Sequence, residues 1–268
     1  MPNKLDGWSL RSVPVRMLCN NECLANATGF FWSEGGDTFL ITNWHVVTGR
    51  HPDTRESLSC FAPEEIEYPR FIEGESYTEV WRHKITLRDK NGASTWFAHP
   101  VYSNFADVAA IPVPRHLAIE TNKGLKNSYI CPLDETSYQG EWAGRRLDMG
   151  SDLFVLGFPL GLKPTGHFPI WKRASVATEM DIPLNDKPAF LIDTATREGM
   201  SGSPVVHVRN SGVVTIGGGF HATRHVEFVG VYSGRHVGRN EIEAQLGIVW
   251  KPEIIRDILA CRTIGDPD

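Results

Sequence analysis

A serine lies between two glycines in the segment Gly199-Met200-Ser201-Gly202, and serine can attack carbonyl groups. Its hydroxyl is a poor nucleophile unless a base removes the proton and nearby donors stabilise the negative charge that forms. Glycine tolerates backbone angles that other residues avoid, so the amides of Gly199 and Ser201 can point at one spot. Because Gly-x-Ser-Gly also occurs in ordinary tight turns, the segment predicts a nucleophile only if the chain also supplies a base and an orienting acid.

Two other segments supply these groups. His45 follows a strongly apolar strand-like run, which would hold the imidazole ring at the end of a strand. Asp107 precedes a second apolar run, which would anchor its backbone. We therefore expect His45 to act as the general base and Asp107 to orient the imidazole and stabilise its cationic form. Asp152 and Asp193 are weaker alternatives to Asp107.

The three segments, in the chain order histidine, aspartate, serine, resemble the catalytic motifs of the chymotrypsin-fold (trypsin-like) serine peptidases. The chain is most similar to their bacterial intracellular branch, which is related to the high-temperature-requirement proteases, and the resemblance covers roughly residues 25 to 250. It implies a catalytic triad of His45, Asp107 and Ser201 that hydrolyses peptide bonds through an acyl-enzyme intermediate. It also implies an oxyanion hole formed by the backbone amides of Gly199 and Ser201.

One position departs from the pattern of the digestive enzymes of this family. They carry an aspartate immediately before the serine, which pairs with a newly cleaved N-terminal amine and shapes the oxyanion hole. This chain has Met200 there and no recognisable Ile-Val-Gly-Gly activation site. We therefore expect packing, a protein activator or effector, or a ligand to organise the hole. The departure suggests an alternative function, a latent or non-catalytic protease-fold module that regulates or binds, although three intact catalytic residues argue against it.

The resemblance also places the residues that would bind substrate, as one pocket wall and an edge strand that pairs with the substrate backbone. They are Ala195, Thr196, Ser233, Gly234 and Arg235. Ala195 stands six residues before the serine, where trypsin-type enzymes carry an aspartate that selects basic side chains. We therefore expect a small or medium apolar side chain before the scissile bond. The segment 158–161 resembles a loop near the high-temperature-requirement active site, and a simple turn between strands explains it equally well.

Composition and charge are those of an ordinary globular protein. Of the 268 residues, 41% are hydrophobic and 22% are charged, and the net charge is −5 without a long basic run. These values argue against nucleic-acid or membrane partners. The resemblance implies a polypeptide substrate, and the departure at Met200 adds a protein activator or effector as a partner. The five cysteines are scattered and odd in number, which indicates free thiols in a reducing compartment. No metal-ligand motif such as His-Glu-x-x-His occurs, so no cofactor is expected.

The sequence predicts a cytoplasmic protein of the all-β class. No stretch approaches the ~20 apolar residues of a membrane span, and the N-terminus lacks the apolar core of a secretory signal. Many short strand-like runs and one terminal helical pattern indicate two β-barrels with a C-terminal helix. The resemblance implies that each barrel is antiparallel and six-stranded. The expected units are an N-terminal arm or first strand (1–24), a first barrel (25–114), an inter-barrel linker (115–150), a second barrel (151–250), and a C-terminal helix and tail (251–268).

Overall fold

The computed structural model describes residues 5–102, 106–134, 147–163, 166–214, 220–235 and 245–266. Within these ranges the chain forms sixteen β-strands and two α-helices. The strands belong to two units, an N-terminal sheet and a C-terminal barrel. No helix in the described ranges is both long enough and apolar enough to cross a lipid bilayer.

The N-terminal unit is a ten-stranded antiparallel sheet. Its strands are β1 (Ser12–Cys19), β2 (Glu22–Glu34), β3 (Asp37–Thr42), β4 (Glu65–Ile72), β5 (Val80–Thr86), β6 (Phe97–Ala98), β7 (Ala109–Pro112), β8 (His116–Thr121), β9 (Gly124–Tyr129) and β16 (Thr263–Ile264). They are ordered β16-β6-β7-β3-β2-β1-β4-β9-β8, and β5 pairs with β4. The helix α1 (Trp44–Thr48) follows β3 directly.

Strand β2 connects the cores of the two units. Side chains alternate between the two faces of a strand, so Phe31 packs into the core of the N-terminal sheet. Phe30 and Trp32 point the other way, into a second core that also contains Phe228 of the barrel. The ring centroids of Phe30 and Phe228 are 5.3 Å apart. The two units therefore share one apolar interface.

The C-terminal unit is a closed six-stranded barrel. Its strands are β10 (Asp152–Gly157), β11 (Ile170–Val176), β12 (Ala189–Asp193), β13 (Pro204–Val214), β14 (Phe220–Arg235) and β15 (Leu246–Trp250). They close in the order β10-β11-β12-β15-β14-β13, with antiparallel neighbours. Its interior is filled by apolar side chains from several of these strands, among them Val155, Phe190 and Tyr232.

The helix α2 (Glu253–Cys261) follows the barrel and closes the interface between the units. Ile254, Ile255, Ile258 and Leu259 lie on one helical face, and all four are buried. After the helix, β16 pairs with β6, which returns the chain to the N-terminal sheet.

The all-β class and the C-terminal helix predicted from the sequence are confirmed, and the C-terminal unit is the expected six-stranded barrel. The N-terminal unit has ten strands and not the six expected, because β1 lies within residues 1–24, the β8–β9 hairpin within 115–150 and β16 within 251–268. That hairpin is hard to recognise in the sequence because only Ile119 and Ser128 are buried in it, so the alternation of apolar residues is weak.

Candidate active site

The imidazole of His45 is held at the end of β3 by the short helix α1. Trp44, Val46 and Val47 on either side of it are buried, which fixes the backbone of the helix. Gly49 ends the helix in the left-handed conformation, and its amide donates to the carbonyl of His45 at 2.9 Å. The His45 side chain itself is 16% exposed, so it reaches the surface from a rigid support.

The carboxylate of Asp107 binds both the backbone and the ring of His45. Its Oδ1 accepts from the His45 amide at 2.9 Å, and its Oδ2 lies 2.7 Å from His45 Nδ1. The hydroxyl of Ser233, from the end of β14, also donates to Oδ2. Asn43 donates to the Asp107 carbonyl at 2.6 Å through its side-chain amide. The carboxylate is thus fixed by its own hydrogen bonds and by those of its backbone.

These contacts decide the charge of Asp107. Complete burial alone would raise the pKa of the carboxyl, because a low dielectric disfavours the charged form. The charge of His45 and the hydrogen bonds from His45 and Ser233 outweigh burial and hold the pKa of Asp107 below its ordinary value. The group is therefore an anion that can stabilise a protonated imidazole.

Ser201 lies on a tight turn before β13 that is bound to the N-terminal sheet. The Ser201 carbonyl accepts from the amide of Thr28 at 2.8 Å, and the Gly199 carbonyl accepts from the Thr28 hydroxyl at 2.6 Å. Gly202 has φ of +85°. A Cβ on Gly202 would collide with the Thr28 carbonyl, so only glycine lets the turn approach β2 this closely.

Ser201 and His45 line the same cleft. Two adjoining cavities, of about 250 Å³ and about 500 Å³, both include these two residues, and Leu58 also contributes to both. Asp107 lies in the smaller cavity, at its buried end. Ser201 and His45 share this cleft, but among the described residues no hydrogen bond joins Ser201 Oγ to the imidazole. Apo geometry of this kind is often loose and tightens only when substrate binds.

The peptide before Gly199 is oriented by the turn at Pro159–Gly161. The Glu198 carbonyl accepts from the Leu160 amide at 2.7 Å. Because the C=O and N–H of a trans peptide point in opposite directions, the Gly199 amide points away from that turn. Gly199 has φ of +90°, and a Cβ there would lie 2.5 Å from the Phe158 carbonyl oxygen. The hydrogen bond to the Leu160 amide thus fixes the orientation of the Gly199 amide, and the turn leaves no room for a side chain at position 199.

The residues expected to bind substrate occupy two sides of the serine turn. Ser233 and Gly234 line the smaller cavity together with Ser201, and a Cβ on Gly234 would lie 4.0 Å from Ser201 Oγ. Thr196 is buried and Ala195 is half-buried, in the segment that leads to the serine turn. The backbone of Arg235 pairs with Gly247, and its side chain lies outside the described part of the structure.

The two alternative acids lie away from His45. Asp152 forms an exposed ion pair with Arg173 at 2.7 Å, and Asp193 is exposed on β12. Asp107 is therefore the acid that the structure brings to the imidazole.

Three contacts at this site were not expected from the sequence. Ser233 was assigned to substrate binding, yet its hydroxyl contacts the Asp107 carboxylate. Asn43 precedes the histidine by two residues, and a buried polar residue in an apolar run is a signal that could have identified it. Thr28 carries no such signal, because its partner Gly199 lies 171 positions further along the sequence.

The described residues offer no candidate metal centre. No group of three or more His, Cys, Asp or Glu side chains in the described ranges could hold a metal ion. The five cysteines are free thiols, so none is used in a disulfide.

Comparison with known proteins shows the family of this chain. The model of the family described as trypsin-like peptidase domain matches residues 27–216, which include His45, Asp107 and Ser201. A search of curated proteins gives no match. A solved structure of Protease Anisep from Arthrobacter nicotinovorans is 13% identical, with a TM-score of 0.50 and coverage of 93% of each chain.

Two further solved structures are similar over most of this chain. An inactive mutant form of Rv3671c from Mycobacterium tuberculosis is 18% identical, with a TM-score of 0.45 and coverage of 95% of this chain and 86% of that chain. The serine endoprotease from Yersinia pestis is 12% identical, with a TM-score of 0.46 and coverage of 97% and 67%. At these identities the likeness concerns the fold alone.

Proposed function

This chain belongs to the trypsin-like peptidase family, and we propose that it is a serine endopeptidase acting through Ser201, His45 and Asp107. One observation carries the proposal. A buried carboxylate binds the Nδ1 edge of an imidazole at 2.7 Å, and that imidazole shares a cleft with a glycine-flanked serine. A structural role alone does not require a buried acid, a partly exposed histidine and an accessible serine at the same place.

The first step is the attack of the Ser201 hydroxyl on the substrate carbonyl carbon. His45 takes the hydroxyl proton on Nε2, because Asp107 already engages Nδ1. The imidazolium that forms is stabilised by the Asp107 anion, whose geometry is fixed before the reaction. Breakdown of the tetrahedral intermediate returns the proton to the leaving amine and leaves an acyl group on Ser201. Water, activated by His45, then releases the acyl group as a carboxylate.

The backbone amides of Gly199 and Ser201 receive the negative charge of the tetrahedral intermediate. This assignment rests on the glycine conformation at Gly199 and on the contact between the Glu198 carbonyl and the Leu160 amide. Donors fixed before the reaction cost no reorganisation in the transition state, which is why such holes contribute strongly to catalysis.

A second candidate, a latent protease or a protease-fold binding module, is favoured by the missing hydrogen bond between Ser201 and His45 among the described contacts. In that case a protein effector or a bound ligand would bring the two side chains into contact. The polypeptide substrate is shared by both candidates. The five free thiols support action in a reducing compartment such as the cytoplasm.

The test is labelling by a small alkyl fluorophosphonate, which reacts only with an activated serine. The wild type should be labelled at Ser201, and the Ser201→Ala variant should lose the label completely. Ser76→Ala is the matched control, because Ser76 is exposed on the turn between β4 and β5 and lines neither cavity of the cleft.

Three outcomes separate the candidates. Labelling together with cleavage of a peptide library supports the endopeptidase. Labelling without cleavage of any peptide supports a protease whose serine is already activated, but whose specificity is narrow or whose substrate site needs the effector. If Ser201→Ala keeps the label, Ser201 is not a catalytic nucleophile, and a folded wild type that never reacts supports the latent protease or the binding module over the active endopeptidase.

A further inference from the structure

Tyr232 fills the interior of the barrel directly beside the serine turn. It lies near the end of β14, paired with Val249 of β15, and its side chain is only 1% exposed. Its ring lies so close to Gly247 that a Cβ on that glycine would collide with the ring edge. Its hydroxyl forms a hydrogen bond with the side chain of Thr196. The ring therefore spans the gap between β15 and the segment that leads to Ser201.

Backbone hydrogen bonds fix this ring relative to the nucleophile. The Tyr232 carbonyl accepts from the Gly202 amide at 2.9 Å, and the Tyr232 amide donates to the Ser203 carbonyl at 2.9 Å. The next residues along β14, Ser233 and Gly234, line the cleft beside Ser201. The tyrosine thus stands just inside the strand edge that would pair with a substrate backbone.

The position of the substrate side chain follows from the reaction geometry. Suppose that the scissile carbonyl carbon lies against Ser201 Oγ, and that the substrate residue before the scissile bond pairs its backbone with β14 at Ser233 and Gly234. The side chain of that preceding residue then enters the space between β14 and the segment containing Thr196. This is the space that the Tyr232 ring crosses.

We propose that Tyr232 closes the inner part of the pocket for the residue before the scissile bond, so that the protein cleaves after small side chains such as Ala and Ser and rejects Phe, Tyr and Leu. The inference rests on the proposed endopeptidase function and goes further by naming the residue that sets the limit. The hydrogen bond to Thr196 and the contact with Gly247 keep the ring from swinging aside, because both lie on fixed backbone segments.

A purely structural role for Tyr232 makes a different prediction. The ring also belongs to the apolar core of the barrel, together with Val155, Phe190 and Met200. If packing were its only role, truncation of the ring would lower stability and slow reaction with every probe to the same extent. If the ring limits the pocket, truncation would change the ratio between large and small probes.

The experiment uses peptidyl diphenyl phosphonates that differ only in the side chain at the position that occupies this pocket, Ala or Phe. The second-order rate constant of Ser201 modification is measured for each probe, and their ratio is compared between variants. The wild type should react at least about 100-fold faster with the Ala probe, since one methylene too many in a pocket already costs roughly 10–200-fold. Tyr232→Ala should shift the ratio toward Phe by about 100-fold, and Tyr232→Phe should leave it nearly unchanged.

Control variants keep the result clear if Tyr232→Ala fails to fold. Tyr232→Val places a β-branched residue, which strands favour, at this position and should shift the ratio in the same direction by a smaller factor. Phe190→Ala removes an equally buried ring from the same core and should reduce stability without changing the ratio.

Failure of this inference is distinguishable from failure of the proposed function. A wild type that reacts equally well with the Phe probe overturns the role of Tyr232 without any variant. The same holds for an unchanged ratio in folded Tyr232→Ala or Tyr232→Val. If neither phosphonate nor fluorophosphonate modifies Ser201, the endopeptidase function itself is refuted.

Discussion

Replacing Gly199 with alanine should disable the nucleophile through its neighbouring amide. The residue has φ of +90°, which costs an alanine roughly 1–2 kcal/mol. The new Cβ would also lie 2.5 Å from the Phe158 carbonyl oxygen and 3.1 Å from the Leu160 amide nitrogen. That first distance is about 1 Å short of an ordinary van der Waals contact. The peptide between Glu198 and Gly199 must therefore rotate, or the turn behind it must move.

Either movement displaces the Gly199 amide from the position where it would receive the oxyanion. Removal of one such donor costs roughly 100–1,000-fold in rate, or about 2.7–4 kcal/mol of transition-state stabilisation. We therefore expect Gly199→Ala to lower the rate constant of fluorophosphonate labelling at Ser201 by about 100-fold or more. The loss of folding stability should be smaller, about 1–3 kcal/mol, because most of the core is untouched.

Gly36→Ala is the matched control, since Gly36 has φ of +89° and no atom within 4 Å of an added Cβ. It carries the same backbone strain as Gly199→Ala without the collision, so it should lower stability by roughly 1–2 kcal/mol and leave labelling unchanged. Both variants would be measured by denaturant unfolding and by labelling rate. A folded Gly199→Ala variant that is labelled at the rate of the wild type would refute the assignment of this amide to the oxyanion hole.

Two more predictions concern single polar groups. Thr28→Val keeps the side-chain shape but leaves the buried Gly199 carbonyl and Phe158 amide unpaired; it should cost about 1–3 kcal/mol in denaturant unfolding and slow labelling. Thr38→Val should cost far less, because the buried Thr38 hydroxyl has no hydrogen-bond partner, and equal losses in the two variants would contradict the reasoning. Burial raises the pKa of Tyr68 to about 12. The contribution of this protonated hydroxyl to folding stability is therefore complete below about pH 10, the pKa of tyrosine in the unfolded chain, and is lost as the pH rises toward 12. Between pH 10 and 12 the unfolding free energy of Tyr68→Phe should fall by up to about 2.7 kcal/mol less than that of the wild type. If the two proteins lose unfolding free energy in parallel over this range, Tyr68 does not have the raised pKa.

The sequence predicted those parts of the site that depend on neighbouring residues. The apolar run before His45 becomes β3 and α1, and the residues after Asp107 become β7, because local hydrophobic patterns determine these elements. The glycines around Ser201 indicated a tight turn, and Gly199 and Gly202 indeed have positive φ. In these cases local chain chemistry was sufficient.

Contacts between distant segments could not be predicted in the same way. The pairing of Thr28 with Gly199, and of Ser233 with Asp107, joins residues that are more than a hundred positions apart. Such contacts follow from how the sheet packs on the barrel, and nothing in the local pattern of a threonine or serine reveals its partner. The β8–β9 hairpin was missed for a different reason, since its exposed, polar strands bury too little to show an alternation.

Met200 explains how the serine turn can be organised without a new N-terminal amine. An aspartate at this position needs a positively charged partner, whereas the Met200 side chain is fully buried in the apolar core of the barrel. The adjacent carbonyls are bound by neutral donors, that of Gly199 by the Thr28 hydroxyl and that of Glu198 by the Leu160 amide. Packing and these two hydrogen bonds fix the same peptides that an ion pair would fix, so cleavage of the chain is not needed to shape the turn. A remaining switch would have to act elsewhere, on the hydrogen bond between Ser201 and His45 that the described contacts lack.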